Sequence, residues 1–98
     1  MPDPRALGFT TRATIAVNAR PDSIEAVADK LASYVNIHGV VINTGRFDIL
    51  AWGDFRGSED LSNFVTNKLA RISGLVKHET MVTLKVTKDD FLFEEDKK

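Results

Sequence analysis

The stretch Phe47-Asp48-Ile49-Leu50-Ala51-Trp52-Gly53-Asp54-Phe55 decides how this chain folds. Side chains alternate between the two faces of an extended strand. Phe47, Ile49, Ala51 and Phe55 therefore share one face, while Leu50 and Trp52 share the other. A sheet packed on one side and wet on the other shows polar residues opposite its core. This strand is apolar on both sides, so both faces of its sheet need cover.

Just upstream, Val40-Val41-Ile42 is β-branched and also two-faced, and Asn43-Thr44-Gly45-Arg46 reads as a turn. The two runs predict a β-hairpin. Phe9 to Asn18 alternates with Phe9, Thr11, Ala13, Ile15 and Val17 on one face, which predicts a strand. Pro21-Asp22-Ser23-Ile24-Glu25 reads as a helix start, with Asp22 as cap and Glu25 completing a capping box. Ile24, Val27, Ala28, Leu31 and Val35 continue it at helical spacing, predicting a helix from about Ser23 to Tyr34.

Ser58 is the expected N-cap of a second helix, with Leu61, Phe64, Val65, Leu69 and Ile72 as its apolar stripe and Gly74 closing it. His78 to Lys88 alternates again: Thr80, Val82, Leu84 and Val86 share a face, with Met81 opposite. The order β-α-β-β-α-β is α+β and ferredoxin-like: a four-stranded antiparallel sheet with two helices on one face. A second copy of the chain would cover the other face through Leu50 and Trp52, giving a dimeric α+β barrel. The plainer reading is a few exposed apolar side chains, which many surfaces carry.

The chain has 98 residues and suits one domain, with residues 1–12 as an arm, 13–88 as the body and 89–98 as a charged tail. Phe91-Leu92-Phe93 interrupts that tail and could dock on the body or on a partner. The net charge of −1 provides no global attraction to nucleic acid. With no cysteine there is no disulfide, thiolate metal site or cysteine nucleophile. No apolar run approaches a membrane span and the first residues lack a signal peptide's apolar stretch, so a cytoplasmic location is expected.

Three stretches together resemble a known family. Pro4-Arg5-Ala6-Leu7-Gly8-Phe9 is similar to a linker ending in Leu-Gly-Tyr/Phe. Asn43-Thr44-Gly45-Arg46-Phe47-Asp48 is similar to a Thr-Gly-x-Tyr/Phe-Asp hairpin. Ser73-Gly74-Leu75-Val76-Lys77-His78-Glu79-Thr80-Met81-Val82 is similar to Pro-Gly-Val followed by Thr-x-Thr and an apolar strand. In this order they resemble the effector-binding half, the RAM domain, of Lrp/AsnC transcription regulators. The resemblance covers about Pro4 to Lys88. It implies a homodimer with facing sheets, assembly into higher rings such as octamers, and amino-acid effectors bound where dimers meet. It also implies DNA binding only through an N-terminal helix-turn-helix that is missing here, so the chain looks like an excised effector domain or a stand-alone RAM protein.

An amino acid presents an ammonium and a carboxylate, so its site needs an acceptor and donors. The resemblance implies ligand contacts from Thr44, Gly45, Arg46, Phe47, Asp48, His78 and Thr80. Asp48 can accept from the ammonium, and backbone N–H groups near Gly45 can meet the carboxylate. Each has a plainer reading. Gly45 can be a tight turn, Asp48 can cap its own hairpin, Arg46 can be solvated, and His78 can be an exposed strand start. His78 and Thr80 share a face. His78 departs from the family's threonine and changes the donor set, so the effector's identity stays open. Lys68, Arg71 and Lys77 read as the usual cations at a helix end and the loop after it. Trp52 reads as dimer core.

No metal site, cofactor or catalytic group is expected. Asn18, His38, Trp52 and His78 are the residues an enzyme could recruit, in the manner of dimeric α+β barrel monooxygenases or haem-related enzymes. They show no metal-ligand spacing, phosphate loop or nucleophile elbow. An amino-acid-sensing module acting on an enzyme, as in ACT domains, is the other alternative, and the Leu-Gly-Phe linker argues against it.

Overall fold

The computed structural model describes residues 10–88, so the expected arm through Phe9 and the tail with Phe91 to Phe93 lie outside the described residues. The element order is β1 (Thr11–Ala19), α1 (Ile24–Ala32), β2 (Ile37–Ile42), β3 (Ile49–Phe55), α2 (Ser58–Asn67) and β4 (Leu75–Val82). One sheet holds all four strands in the order β2-β3-β1-β4, every neighbouring pair antiparallel. This is the βαββαβ arrangement read from the periodicities.

Ala13, Ile15 and Val17 of β1 and Ile49, Ala51 and Phe55 of β3 are wholly buried. Val27 and Leu31 of α1, Leu61 and Phe64 of α2, and Leu69 pack on them as one core. Phe64 meets Phe55 and Tyr34 at ring-centroid distances of 5.2 Å each. Among the described residues no helix is long and apolar enough to cross a membrane.

Several boundaries differ from expectation. A 3-10 turn, Pro21–Ser23, precedes α1, and Ser23 takes the cap position without a side-chain cap bond. Asp22 accepts a hydrogen bond from Ser23 Oγ (3.2 Å) and lies 3.5 Å from Arg20 Nε, so the expected capping box does not form. The helix ends at Ala32, which leaves Val35 exposed beyond the stripe. Gly57, not Ser58, caps α2; the Asp60 carboxylate accepts the Arg56 N–H there instead.

The hairpin strand β2 starts at Ile37, and β3 starts at Ile49 rather than Phe47. The last strand runs over Leu75–Val82, not His78–Lys88, and Leu84 is fully exposed. The partner sets that limit: Val82 pairs with Ala13, and the Thr83 N–H reaches the Arg12 carbonyl near the start of β1. Gly74 has φ +89°, and a Cβ there would stand 2.5 Å from Ser23 Cβ. Glycine alone satisfies both demands.

Candidate functional site

Residues paired directly across strands point to the same face. The pairings Ala16–Leu50, Thr14–Trp52 and Arg12–Asp54 therefore put Leu50, Trp52 and Asp54 on one face. Glu79, opposite Ala16, and Met81, opposite Thr14, join them. This face lies opposite the helix-covered core. Its centre is apolar: Leu50 is half-buried, and Val41, Trp52 and Met81 are 39%, 37% and 47% exposed. The Trp52 indole packs against Gly39, where any Cβ would collide with the ring.

A charged cluster that the sequence reading missed closes one end of this face. Asp54 is only 5% exposed. Its carboxylate accepts from Arg12 Nε at 3.1 Å and lies 2.9 Å from His38 Nε2. A buried carboxylate needs such partners. The available signal was an aspartate inside an apolar strand, in register with an arginine.

The hairpin tip occupies the other end. Gly45 turns with φ +121° and open space around it. The Asn43 N–H donates to the Asp48 carbonyl at 2.8 Å and closes the tip. The Asp48 N–H donates to the Val17 carbonyl (3.0 Å) and to Asn18 Oδ1 (3.1 Å). Asp48 Oδ2 accepts the Ala19 N–H at 3.1 Å. The register with β4 shifts between Asn18 and Ala19, and the carboxylate serves the backbone beside that irregularity. Asp48 thus caps a neighbouring strand rather than its own turn. Its Oδ1 makes no hydrogen bond among the described residues.

Phe47 lies between two cations, with Arg46 5.7 Å and Lys77 6.0 Å from its ring centroid. Arg46 also approaches Glu79 at 4.0 Å. Asn43, Thr44, Arg46, Phe47 and Leu50 line a shallow depression of about 370 Å³. Thr44, Arg46 and Phe47 are thus together, with Gly45 at the tip; Asp48 follows Phe47 in the chain, but it is not part of this lining and its carboxylate turns to the end of β1. Lys77, Glu79 and Asn18 join them, and strand parity was the signal for these three.

His78 and Thr80 are not on that face. They pair with Val17 and Ile15, whose side chains belong to the helix-covered core. Thr80 Oγ1 is buried there with no hydrogen-bond partner among the described residues. One chain therefore does not bring His78 and Thr80 onto the face that holds Asp48. Nor do three or more His, Asp or Glu side chains among the described residues gather in a way that could hold a metal ion.

Comparison with known proteins agrees with this architecture. The family model of the Lrp/AsnC ligand binding domain matches residues 12–93. The HTH-type transcriptional regulator FL11 of Pyrococcus horikoshii is 34% identical over 87 residues, covering 89% of this chain and 57% of that protein. The chain thus spans a little over half the length of the curated relatives it matches. Two solved structures share the fold. A Neisseria meningitidis transcriptional regulator in complex with L-Met superposes with TM-score 0.84 at 23% identity, over 91% of this chain and 59% of that one. E. coli AsnC superposes with TM-score 0.84 at 20% identity, over 91% and 60%. The match covers both candidate ends of the sheet and assigns the chain to a regulator family rather than to an enzyme: the chain belongs to the Lrp/AsnC family, as its ligand-binding RAM domain.

Proposed function

We propose that this domain senses a small amino acid or a closely related metabolite and couples its binding to self-assembly and to DNA binding by a helix-turn-helix partner domain. The observation that carries the reading is the hairpin depression, next in the chain to an Asp48 carboxylate with one oxygen unused, in a chain of a ligand-binding family. The relative from Neisseria meningitidis that shares the fold is a complex with an amino acid. An ammonium would meet Asp48, and backbone N–H groups around Gly45 would meet the carboxylate. His78, pointing the other way, would contribute from a neighbouring subunit, and Thr80 would join it by turning out a hydroxyl that is buried in the single chain. The two half-sites make binding depend on assembly.

The open face would carry that assembly. Leu50 and Trp52 centre a homodimer of facing sheets, and dimers then associate through their hairpin ends into a higher ring. The working location is the cytoplasm.

A calorimetric screen of the common amino acids tests the effector site. Wild type should bind at least one of them, and Asp48→Ala should weaken it by about 1.5–3 kcal/mol, the range for hydrogen bonds to charged groups. Circular dichroism should show the variant still folded. A folded Asp48→Ala protein that binds like wild type removes Asp48 from the site. No binding by wild type at millimolar concentration removes the effector reading.

A further inference from the structure

A second feature lies on the helix-covered side of the molecule, away from the hairpin and the open sheet face. Lys30, Tyr34, Lys68, Arg71 and Ser73 line a groove of about 410 Å³ between α1 and the segment that follows α2. Lys30 and Lys68 Nζ stand 5.5 and 5.6 Å from the centroid of the same ring, Tyr34. That ring is held from behind by its edge contact with Phe64 at 5.2 Å. Arg71 completes the cationic lining, and no acidic residue contributes to it. Among the described residues none of the three cations forms an ion pair with a carboxylate.

This concentration occurs in a chain whose net charge is −1. Cations near helix C-termini offset the exposed carbonyls there. That accounts for each cation singly, Lys30 in the last turn of α1, Lys68 at the C-cap of α2 and Arg71 in the 3-10 turn after it. It does not account for all three lining one concavity with no acidic residue among them. A carboxylate would neutralise one of the three charges. A phosphate carries nearly two, and its oxygens suit one arginine fork and two lysine point charges.

We propose that this groove binds a phosphate group, through Lys30, Lys68 and Arg71 around Tyr34. The group belongs either to a phosphorylated small molecule or to a nucleic-acid backbone. Bound here, it leaves the open sheet face and the hairpin uncovered, so the site operates independently of the proposed effector.

Amide chemical shifts of the labelled chain, titrated with pyrophosphate, test the proposal. The amides of residues 26–34 and 67–73 should shift saturably in the millimolar range. Lys68→Ala and Arg71→Ala, both at exposed positions, should each weaken binding roughly threefold to tenfold. Lys85→Ala, at an exposed position outside the groove lining, should leave it unchanged. A short DNA duplex separates the two sources. If it displaces pyrophosphate from the same amides and each groove variant flattens the salt dependence of duplex binding, the phosphate is that of nucleic acid. If a nucleoside diphosphate shifts these amides and the duplex does not, it is that of a small molecule. Absence of saturable shifts at these amides with all three probes overturns the proposal. So does wild-type affinity in both Lys68→Ala and Arg71→Ala.

Discussion

The two faces of this sheet are made by the same strands through the same alternation, yet they are finished differently. On the helix side, Ile15, Val17, Ile49 and Phe55 reach zero exposure because Leu31, Phe64 and Leu69 close over them. On the open side, Val41, Trp52 and Met81 keep more than a third of their surface in water. Among the described residues only Ala16 reaches zero exposure there, between its cross-strand neighbours Leu50 and Glu79. The open face also holds polar and ionisable side chains at both ends, Arg12, His38 and Asp54 at one and Arg46, Lys77 and Glu79 at the other. The difference separates a surface that satisfies itself within one chain from one that has an apolar centre and a polar rim, which is the anatomy of an interface.

Substitutions on the two faces should therefore behave differently. The largest effect belongs to the closed face. Phe55→Ala should cost about 3–5 kcal/mol of stability by chemical denaturation, because its cavity has no partner to fill it. Trp52→Asp comes next. It should leave the chain folded, since Trp52 is partly exposed, but cost several kcal/mol of association by burying a charge at the seam. Sedimentation should find this variant monomeric. A Trp52→Asp protein that stays associated would place the interface elsewhere.

Asp54→Ala should cost about 1–3 kcal/mol in denaturation, because Arg12 and His38 lose their acceptor but are exposed enough for water to replace part of it. The smallest effect is expected at Thr80. Thr80→Val removes a buried hydroxyl that has no partner among the described residues, so stability should hold or rise by up to about 1 kcal/mol. If Thr80 meets the effector from a neighbouring subunit, the same variant should lose affinity while it gains stability.

The element order and the two-faced β3 were legible because they depend on local periodicity. Asp22 and Ser58 misled because caps depend on the entry path of the chain. Pro21 opens a 3-10 turn that moves the cap to Ser23, and the extended Gly57 takes the cap of α2. The alternation Val82, Leu84, Val86 suggested a longer last strand, but a strand needs a partner, and the pairing with β1 ends at Ala13–Val82. The hairpin residues were legible as a motif. The bond from the Ala19 N–H to Asp48 was not, because it joins residues 29 apart across an irregular pairing. The opposite orientation of Asp48 and Thr80 was hidden for the same reason: parity within a strand is local, whereas the register between strands is not.

The open face of the sheet is proposed as an assembly surface. The most direct test is the mass of the wild-type chain in solution by sedimentation equilibrium at micromolar concentration. A dimer or a multiple of it is expected, dissociated by Trp52→Asp. A wild-type chain that is monomeric at that concentration would contradict it.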